Sequence, residues 1–202
     1  MKDQPSSTNT HFLRSYADPA AVAELELPQV AFLGRSNAGK SSLLNSISAT
    51  ANLARVSATP GRTRLINVFD VAGKYHLIDL PGYGFAAGSK QEREKLAELI
   101  HGYLSTATLL RLAIVLLDSR IGPTDADRDM IESLHISNIP FMLVLTKCDK
   151  LSRTQMTQAL ASLQALYPDA QSLTYSSTTG MGRGQLLDII NQTVRTKPQT
   201  QD

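Results

Sequence analysis

The run Gly34-Arg35-Ser36-Asn37-Ala38-Gly39-Lys40-Ser41 constrains this chain more than any other stretch. Its spacing, G-x-x-x-x-G-K-[ST], needs a strand before it and a helix after it. Both are present: Val30-Ala31-Phe32-Leu33 has the continuous apolar character of a buried strand, and Ser42-Leu43-Leu44-Asn45-Ser46-Ile47 opens a helix. Gly34 and Gly39 permit a tight backbone path, so that successive N–H groups can turn inward toward a polyphosphate. The loop then delivers that phosphate to a helix N-terminus, where unpaired N–H groups favour negative charge. Lys40 would reach the β- and γ-phosphates, and the Ser41 hydroxyl would ligate Mg²⁺. At average composition the pattern arises by chance in roughly one chain per hundred of this length. The ordinary alternative is a Gly-rich turn with a solvated lysine, and the flanking strand and helix weigh against it.

A length of 202 residues suits one well-buried domain and leaves little for a second. The expected division is a tail and lead-in segment over 1–27, a nucleotide-binding domain over 28–195 and a polar tail over 196–202. The formal charge of +2 permits a nucleic-acid partner without arguing for one. No apolar run approaches a membrane span, and the polar start of the chain has no secretory h-region. The single cysteine, Cys148, rules out an internal disulfide and fits a reducing cytoplasm.

Strands and helices alternate along the chain. Phe12, Leu13, Tyr16, Val22 and Leu25 suggest a lead-in segment packed onto a sheet. Residues 53–64 contain a Pro-Gly pair and no period, which predicts a loop. Leu65–Val71 and Tyr75–Asp79, joined by Ala72-Gly73-Lys74, predict a β-hairpin that puts one antiparallel strand into an otherwise parallel sheet. Helices are predicted over Gln91–Ser105, Thr124–Leu134, Gln155–Leu166 and Gly184–Val194, with Thr124 and Asp127 as a capping pair. Buried strands are predicted over Leu112–Leu117 and Phe141–Leu145, and a short strand over Leu173–Tyr175. The pattern is that of a doubly wound α/β sheet with its ligand loops at the strand carboxyl ends.

Two more strand tips carry chemistry. Asp79-Leu80-Pro81-Gly82 ends the hairpin: the Asp79 carboxylate can hold a water of the Mg²⁺ shell, while the Gly82 N–H can approach a γ-phosphate. Between Tyr83 and Gly88 the small residues suggest a loop whose state follows that phosphate. Thr146-Lys147-Cys148-Asp149 selects the base. A carboxylate at Asp149 can accept from the N1–H and N2 amine of guanine, whereas adenine would leave it unpaired. The Lys147 stem can lie along the purine, and Ser176-Ser177 can bring a backbone N–H near the guanine O6.

With these strings in place the chain resembles the translation-factor-related class of Ras-like GTPases, and within it the EngB (YihA/YsxC) family. The resemblance rests on Gly34-Arg35-Ser36-Asn37-Ala38-Gly39-Lys40-Ser41-Ser42, Thr59-Pro60-Gly61-Arg62-Thr63, Asp79-Leu80-Pro81-Gly82-Tyr83-Gly84, Thr146-Lys147-Cys148-Asp149 and Tyr175-Ser176-Ser177. It implies a Ras-like P-loop GTPase fold with a six-stranded, mostly parallel sheet and helices on both faces. It also implies GTP hydrolysis with Mg²⁺, a role in assembly of the large (50S) ribosomal subunit, and a link to cell division and septation. By position, Thr63 would be the threonine that ligates Mg²⁺ beside Ser41 and Asp79, with Thr59 its competitor. The candidate catalytic groups are Lys40, Thr63 and Gly82, and Gly61-Arg62-Thr63-Arg64-Leu65 joins the nucleotide contacts. Arg62 and Arg64 could meet RNA phosphate.

One departure from the Ras pattern matters. The residue after D-x-x-G is Tyr83, not a water-orienting glutamine, so intrinsic hydrolysis is expected to be slow. Asn37 stands where related GTPases help hold a potassium ion. A switch acting on division or membrane machinery without ribosome contact is the alternative, and a scaffold that has lost its chemistry is disfavoured by intact Lys40, Ser41, Asp79 and Asp149. A monomer is the default expectation.

Overall fold

The computed structural model describes residues 9–50, 53–54, 65–84 and 89–196. In chain order the elements are β1 (Thr10–Tyr16), α1 (Pro19–Ala23), β2 (Gln29–Gly34), α2 (Lys40–Ile47), β3 (Ile66–Val71), β4 (Tyr75–Asp79), α3 (Lys90–Thr106), β5 (Leu110–Asp118), α4 (Asp125–Ile136), β6 (Phe141–Thr146), α5 (Arg153–Leu166), β7 (Gln171–Thr174) and α6 (Arg183–Arg195). The sheet order is β1-β3-β4-β2-β5-β6-β7. Among the described strands only β3 opposes the common direction, because it pairs antiparallel with both β1 and β4 while the other neighbours pair parallel.

Alternation along the central strand divides the core. Val30 and Phe32 face α2 and α6, where they meet Leu43, Leu44, Leu186 and Ile190. Ala31 and Leu33 face the layer holding Val22, Ile100, Tyr103, Ile131 and Leu163. Successive strand residues point to opposite faces, so a strand covered on both sides must be apolar throughout. All of β2 is buried, and each large side chain of this kind contributes about 1.5–3 kcal/mol by leaving water.

Local signals set the helix starts. Ser89 with Glu92 and Ser152 with Gln155 form reciprocal caps at α3 and α5. At α4 the Asp127 carboxylate accepts from the Thr124 N–H at 3.0 Å and its hydroxyl at 2.8 Å. Capping therefore starts α5 at Arg153, two residues before the apolar pattern suggests. Conversely, β7 spans Gln171–Thr174 rather than Leu173–Tyr175, since its register is set by backbone pairing with β6 from Met142↔Gln171 to Leu145↔Thr174.

The lead-in segment does more than pack onto the sheet: Thr10–Tyr16 adds a seventh strand to the six expected. Leu13 is skipped in the register between Phe12 and Arg14, a bulge on an edge strand whose Phe12 ring meets Phe69 edge-on at 5.7 Å. Bulges of this kind discourage further pairing on an open edge. Behind it, α1 lies close against α3, where a Cβ on Gly102 would come within 2.8 Å of Pro19 Cγ.

A buried polar bridge ties these layers to β2. Gln29 Nε2 donates to the Val22 carbonyl at 3.1 Å, and Tyr103 Oη donates to Gln29 Oε1 at 2.7 Å. Both residues are fully buried. Tyr103→Phe removes the donor and strands a buried acceptor, costing about 1–3 kcal/mol. A melting temperature lower by roughly 2–10 °C in a thermal melt is the expected result.

Candidate nucleotide site

The P-loop begins at Gly34, the last residue of the central strand, and ends at Gly39, which caps α2 in the left-handed region at φ 98°. A side chain is disfavoured at both, by crowding at Gly34 and by backbone conformation at Gly39. A Cβ on Gly34 would lie 3.1 Å from the Leu116 carbonyl oxygen, and one on Gly39 would need the same strained φ. Between them Asn37 is also left-handed, at φ 67°, and the Ala38 N–H closes a turn onto Arg35 O at 3.0 Å. Ser41 and Ser42 sit half-buried in the first turn of α2.

The tip of β4 presses against this loop. Lys40 Nζ pairs with Asp79 Oδ1, and both side chains are almost out of solvent. Asn67 Nδ2 donates to the other Asp79 oxygen at 3.2 Å, while Ser15 Oγ on β1 donates to Asn67 Oδ1 at 2.6 Å. The Ser36 N–H donates to Tyr83 O at 3.3 Å, and a Cβ on Gly82 would meet Ser36 N at 3.0 Å. Gly82 thus stands in backbone contact with the P-loop. Leu80 and Pro81 are buried, so only their backbone is available to a ligand.

The tip of β6 holds the loop from the other side. Thr146 Oγ1, buried, donates to Ala38 O at 2.6 Å. Lys147 adopts φ 59° and sends Nζ to Asn37 O at 2.6 Å and Asp118 Oδ2 at 2.9 Å. Cys148 is buried, with burial raising its thiol pKa, and its N–H donates to Tyr175 O at 3.2 Å. Asp149 accepts from Ser176 Oγ at 2.7 Å and lies 3.4 Å from Lys150 Nζ. The Ser176 hydrogen bond, opposed by desolvation and aided by Lys150, holds the Asp149 carboxyl below its ordinary range. It is therefore an ionised acceptor at neutral pH. Tyr175 is in the core, with Oη donating to Ser46 Oγ at 2.9 Å. Ser176 spends its own N–H on Met181 O at 3.1 Å and accepts from the Thr178 and Thr179 N–H groups, so it shapes the turn and orients Asp149.

The structure thus brings 34–42, 79–82, 146–149 and 175–177 to one end of the sheet. Leu65 is exposed ahead of β3, while Thr59, Gly61, Arg62, Thr63 and Arg64, and most of the loop after Tyr83, lie outside the described residues. Sequence reasoning passed over Asp118 and Asn67. Asp118 ends an apolar strand as Asp79 does, and that parallel was the available signal. The hairpin register, with Val71 opposite Tyr75, was enough to set Asn67 opposite Asp79.

For Mg²⁺ the donors fit. Asp79 and the Ser41 hydroxyl would offer hard oxygens beside Lys40, and Mg²⁺ asks for one or two carboxylates plus phosphates rather than a protein cage. Consistent with this, no group of three or more His, Cys, Asp or Glu among the described residues is placed to hold a metal alone.

A P-loop at one strand tip, an aspartate paired with its lysine at a second and an ionised acceptor at a third make up the arrangement of a P-loop GTPase. Comparison with known proteins agrees. Residues 29–147 match a family described as 50S ribosome-binding GTPase. "Probable GTP-binding protein EngB" of Cytophaga hutchinsonii is 41% identical over 189 residues, covering 91% of this chain and 95% of that one. Its namesake in Chlorobaculum tepidum is 40% identical over 185 residues, 91% of this chain and 96% of the other. Among solved structures, a probable GTP-binding protein engB superposes with a TM-score of 0.70 at 24% identity, over 84% of this chain and all (100%) of that one. An Aquifex aeolicus Era variant bound to GDP.AlF4⁻ gives 0.69 at 21% identity, over 86% of this chain and 59% of that one. The chain belongs to the EngB family of GTP-binding proteins and is a GTPase.

Asp149→Asn tests the base reading. The amide keeps one acceptor and gains a donor, so it mismatches the guanine edge and suits a carbonyl at that position. GDP affinity should fall at least about a hundredfold and XDP binding should rise, read by titration of fluorescent analogues.

Proposed function

We propose that this GTPase is a slow, Mg²⁺-dependent molecular switch in assembly of the large (50S) ribosomal subunit, working in the cytoplasm as a monomer through a GTP-binding domain over 28–195. Effects on cell division and septation would follow from that role. The carrying observation is the contact of Gly82 with the Ser36 backbone, because a γ-phosphate held by the P-loop acts where the two loops touch.

The chain's own residues divide the work. N–H groups within 34–41, other than those of Ser36 and Ala38 that already have partners, cradle the phosphates, Lys40 stabilises charge on the β- and γ-oxygens, and Gly82 offers its N–H to the γ-phosphate. When bound, Mg²⁺ neutralises charge between the β- and γ-phosphates; Ser41 and, through water, Asp79 would hold it, with Thr63 as third ligand. Asp149 reads N1–H and N2, and Ser177 is left as the backbone donor toward O6. Arg62 and Arg64 are candidates for rRNA phosphate.

Slow turnover is supported by Tyr83. Its side chain is buried and Oη donates to Asp127 Oδ1 at 3.0 Å, away from the phosphate site. Burial, then the neighbouring Asp127 carboxylate, raises its pKa well above that of an ordinary tyrosine, so it stays a neutral hydroxyl. No group at that position orients an attacking water. A potassium ion beside Asn37 would supply charge instead. On that reading single-turnover hydrolysis runs at least about threefold faster in potassium than in sodium buffer, and equal rates would remove the ion from the scheme.

The family's description supports ribosome docking, and no described helix is long and apolar enough to cross a membrane. Sedimentation with ribosomal subunits tests the switch. Co-pelleting with the large subunit is expected with a non-hydrolysable GTP analogue and not with GDP, weakening as salt rises. No pelleting in either state would favour a switch on division or membrane machinery.

A further inference from the structure

We propose that Asp118 is a positioning residue that sets how long guanine nucleotide stays bound, by holding Lys147 across the P-loop. The proposal rests on the GTP-binding assignment and extends it to a residue outside the nucleotide-contact motifs.

Strand β5 pairs with β2 on one side and β6 on the other, with Gly34 opposite Leu116 and Asp118 opposite Thr146. Its tip therefore lies between the P-loop and the base-reading loop. The left-handed backbone at Lys147 turns the side chain back over the P-loop, where one ammonium meets both Asn37 O and Asp118 Oδ2. Lysine has a flexible four-carbon stem and three rotatable donors, and a single carbonyl would fix it poorly. The carboxylate supplies the second point, and the same stem is the surface on which the purine would rest.

Asp118 is itself fixed. Arg120 grips it with Nε on Oδ1 at 2.9 Å and Nη2 on Oδ2 at 2.7 Å, and the Arg120 N–H donates to Oδ1 at 3.1 Å. The Asp118 side chain is 10% exposed, Lys147 28% and Arg120 48%. Desolvation alone would favour the neutral acid, but the hydrogen bonds from Arg120 and Lys147 outweigh it and hold the carboxyl well below its usual range. A carboxylate oriented by a bidentate guanidinium is a rigid anchor for a second cation. Arg120 is about half exposed, and among the described residues the hydrogen bonds it donates run to Asp118.

The test is a double-mutant cycle read as dissociation of a fluorescent GDP analogue from the full chain. Asp118→Asn should release GDP about tenfold faster, the scale of a lost hydrogen bond to a charged group. Lys147→Met should release it at least as fast, and the double variant within about twofold of Lys147→Met alone, because both changes remove one interaction. A wild-type rate for Asp118→Asn, or multiplied effects in the double variant, would overturn the proposal. So would Arg120→Met reproducing the full loss while Asp118 and Lys147 fail to couple. Should Asp118→Asn not fold, Asp118→Glu, which keeps the charge, is put through the same cycle: coupling to Lys147 supports the proposal and independence overturns it. Absence of GDP binding by the wild-type chain would overturn the nucleotide assignment, and the proposal with it.

Discussion

The pairing of Lys40 with Asp79 is the contact on which the rest of the site depends. It joins the first residue of α2 to the last residue of β4, and both side chains are nearly sealed from water. A buried ion pair is costly unless its remaining valences are met. Here Asn67 meets the second carboxylate oxygen, and Ser15 on the edge strand holds Asn67. The pairing also anticipates its ligand. On the proposed mechanism a polyphosphate would offer Lys40 a replacement anion and a divalent cation would offer Asp79 a replacement partner, so neither group would be left uncompensated when nucleotide enters. The direct pair must part as nucleotide enters, and the exchange of partners keeps both charges compensated in either state.

Around that pair the P-loop is gripped by its neighbours through backbone carbonyls. Thr146 takes Ala38 O and Lys147 takes Asn37 O, while Tyr83 accepts from the Ser36 N–H. Two loop N–H groups are also engaged, Ser36 with Tyr83 O and Ala38 with Arg35 O, so the ligand has to draw on the other N–H groups of the loop and of the first turn of α2. The same contacts couple the base-reading loop and the γ-phosphate loop to one stretch of chain. Tyr83 carries the coupling outward to α4 through Asp127, whose second oxygen caps that helix. A switch needs such a shared element, since a ligand shifts only what it contacts differently in two states.

Much of this was legible in the sequence, because glycine spacing and strand-tip carboxylates are local signals. The P-loop, the hairpin with its reversed strand and the Thr124–Asp127 cap of α4 stand where the pattern puts them. What escaped was set by pairing rather than pattern. Thr10–Tyr16 lacks the clean alternation of a strand because successive residues on both its faces are exposed and the bulge at Leu13 breaks its phase, and pairing with β3 is what makes it one. Asp118 reads as the end of an apolar run until β6 brings Lys147 beside it. Asn67 matters because the hairpin sets it opposite Asp79. Polar residues that act through another residue carry no spacing of their own. The stretch with Thr63 lies outside the described residues, so its part in the account stays a proposal drawn from the family pattern.

The central claim is that three strand tips build one site for a guanine nucleotide, with the base read by Asp149 and the phosphates by the P-loop. Calorimetric titration of the full chain with GDP and with ADP in Mg²⁺ buffer tests it most directly. The account predicts one GDP site per chain and ADP binding weaker by at least about a thousandfold, since the Asp149 carboxylate would face an acceptor on adenine and go unpaired. Comparable affinity for the two nucleotides would contradict it, as would GDP binding unaffected by loss of Lys40.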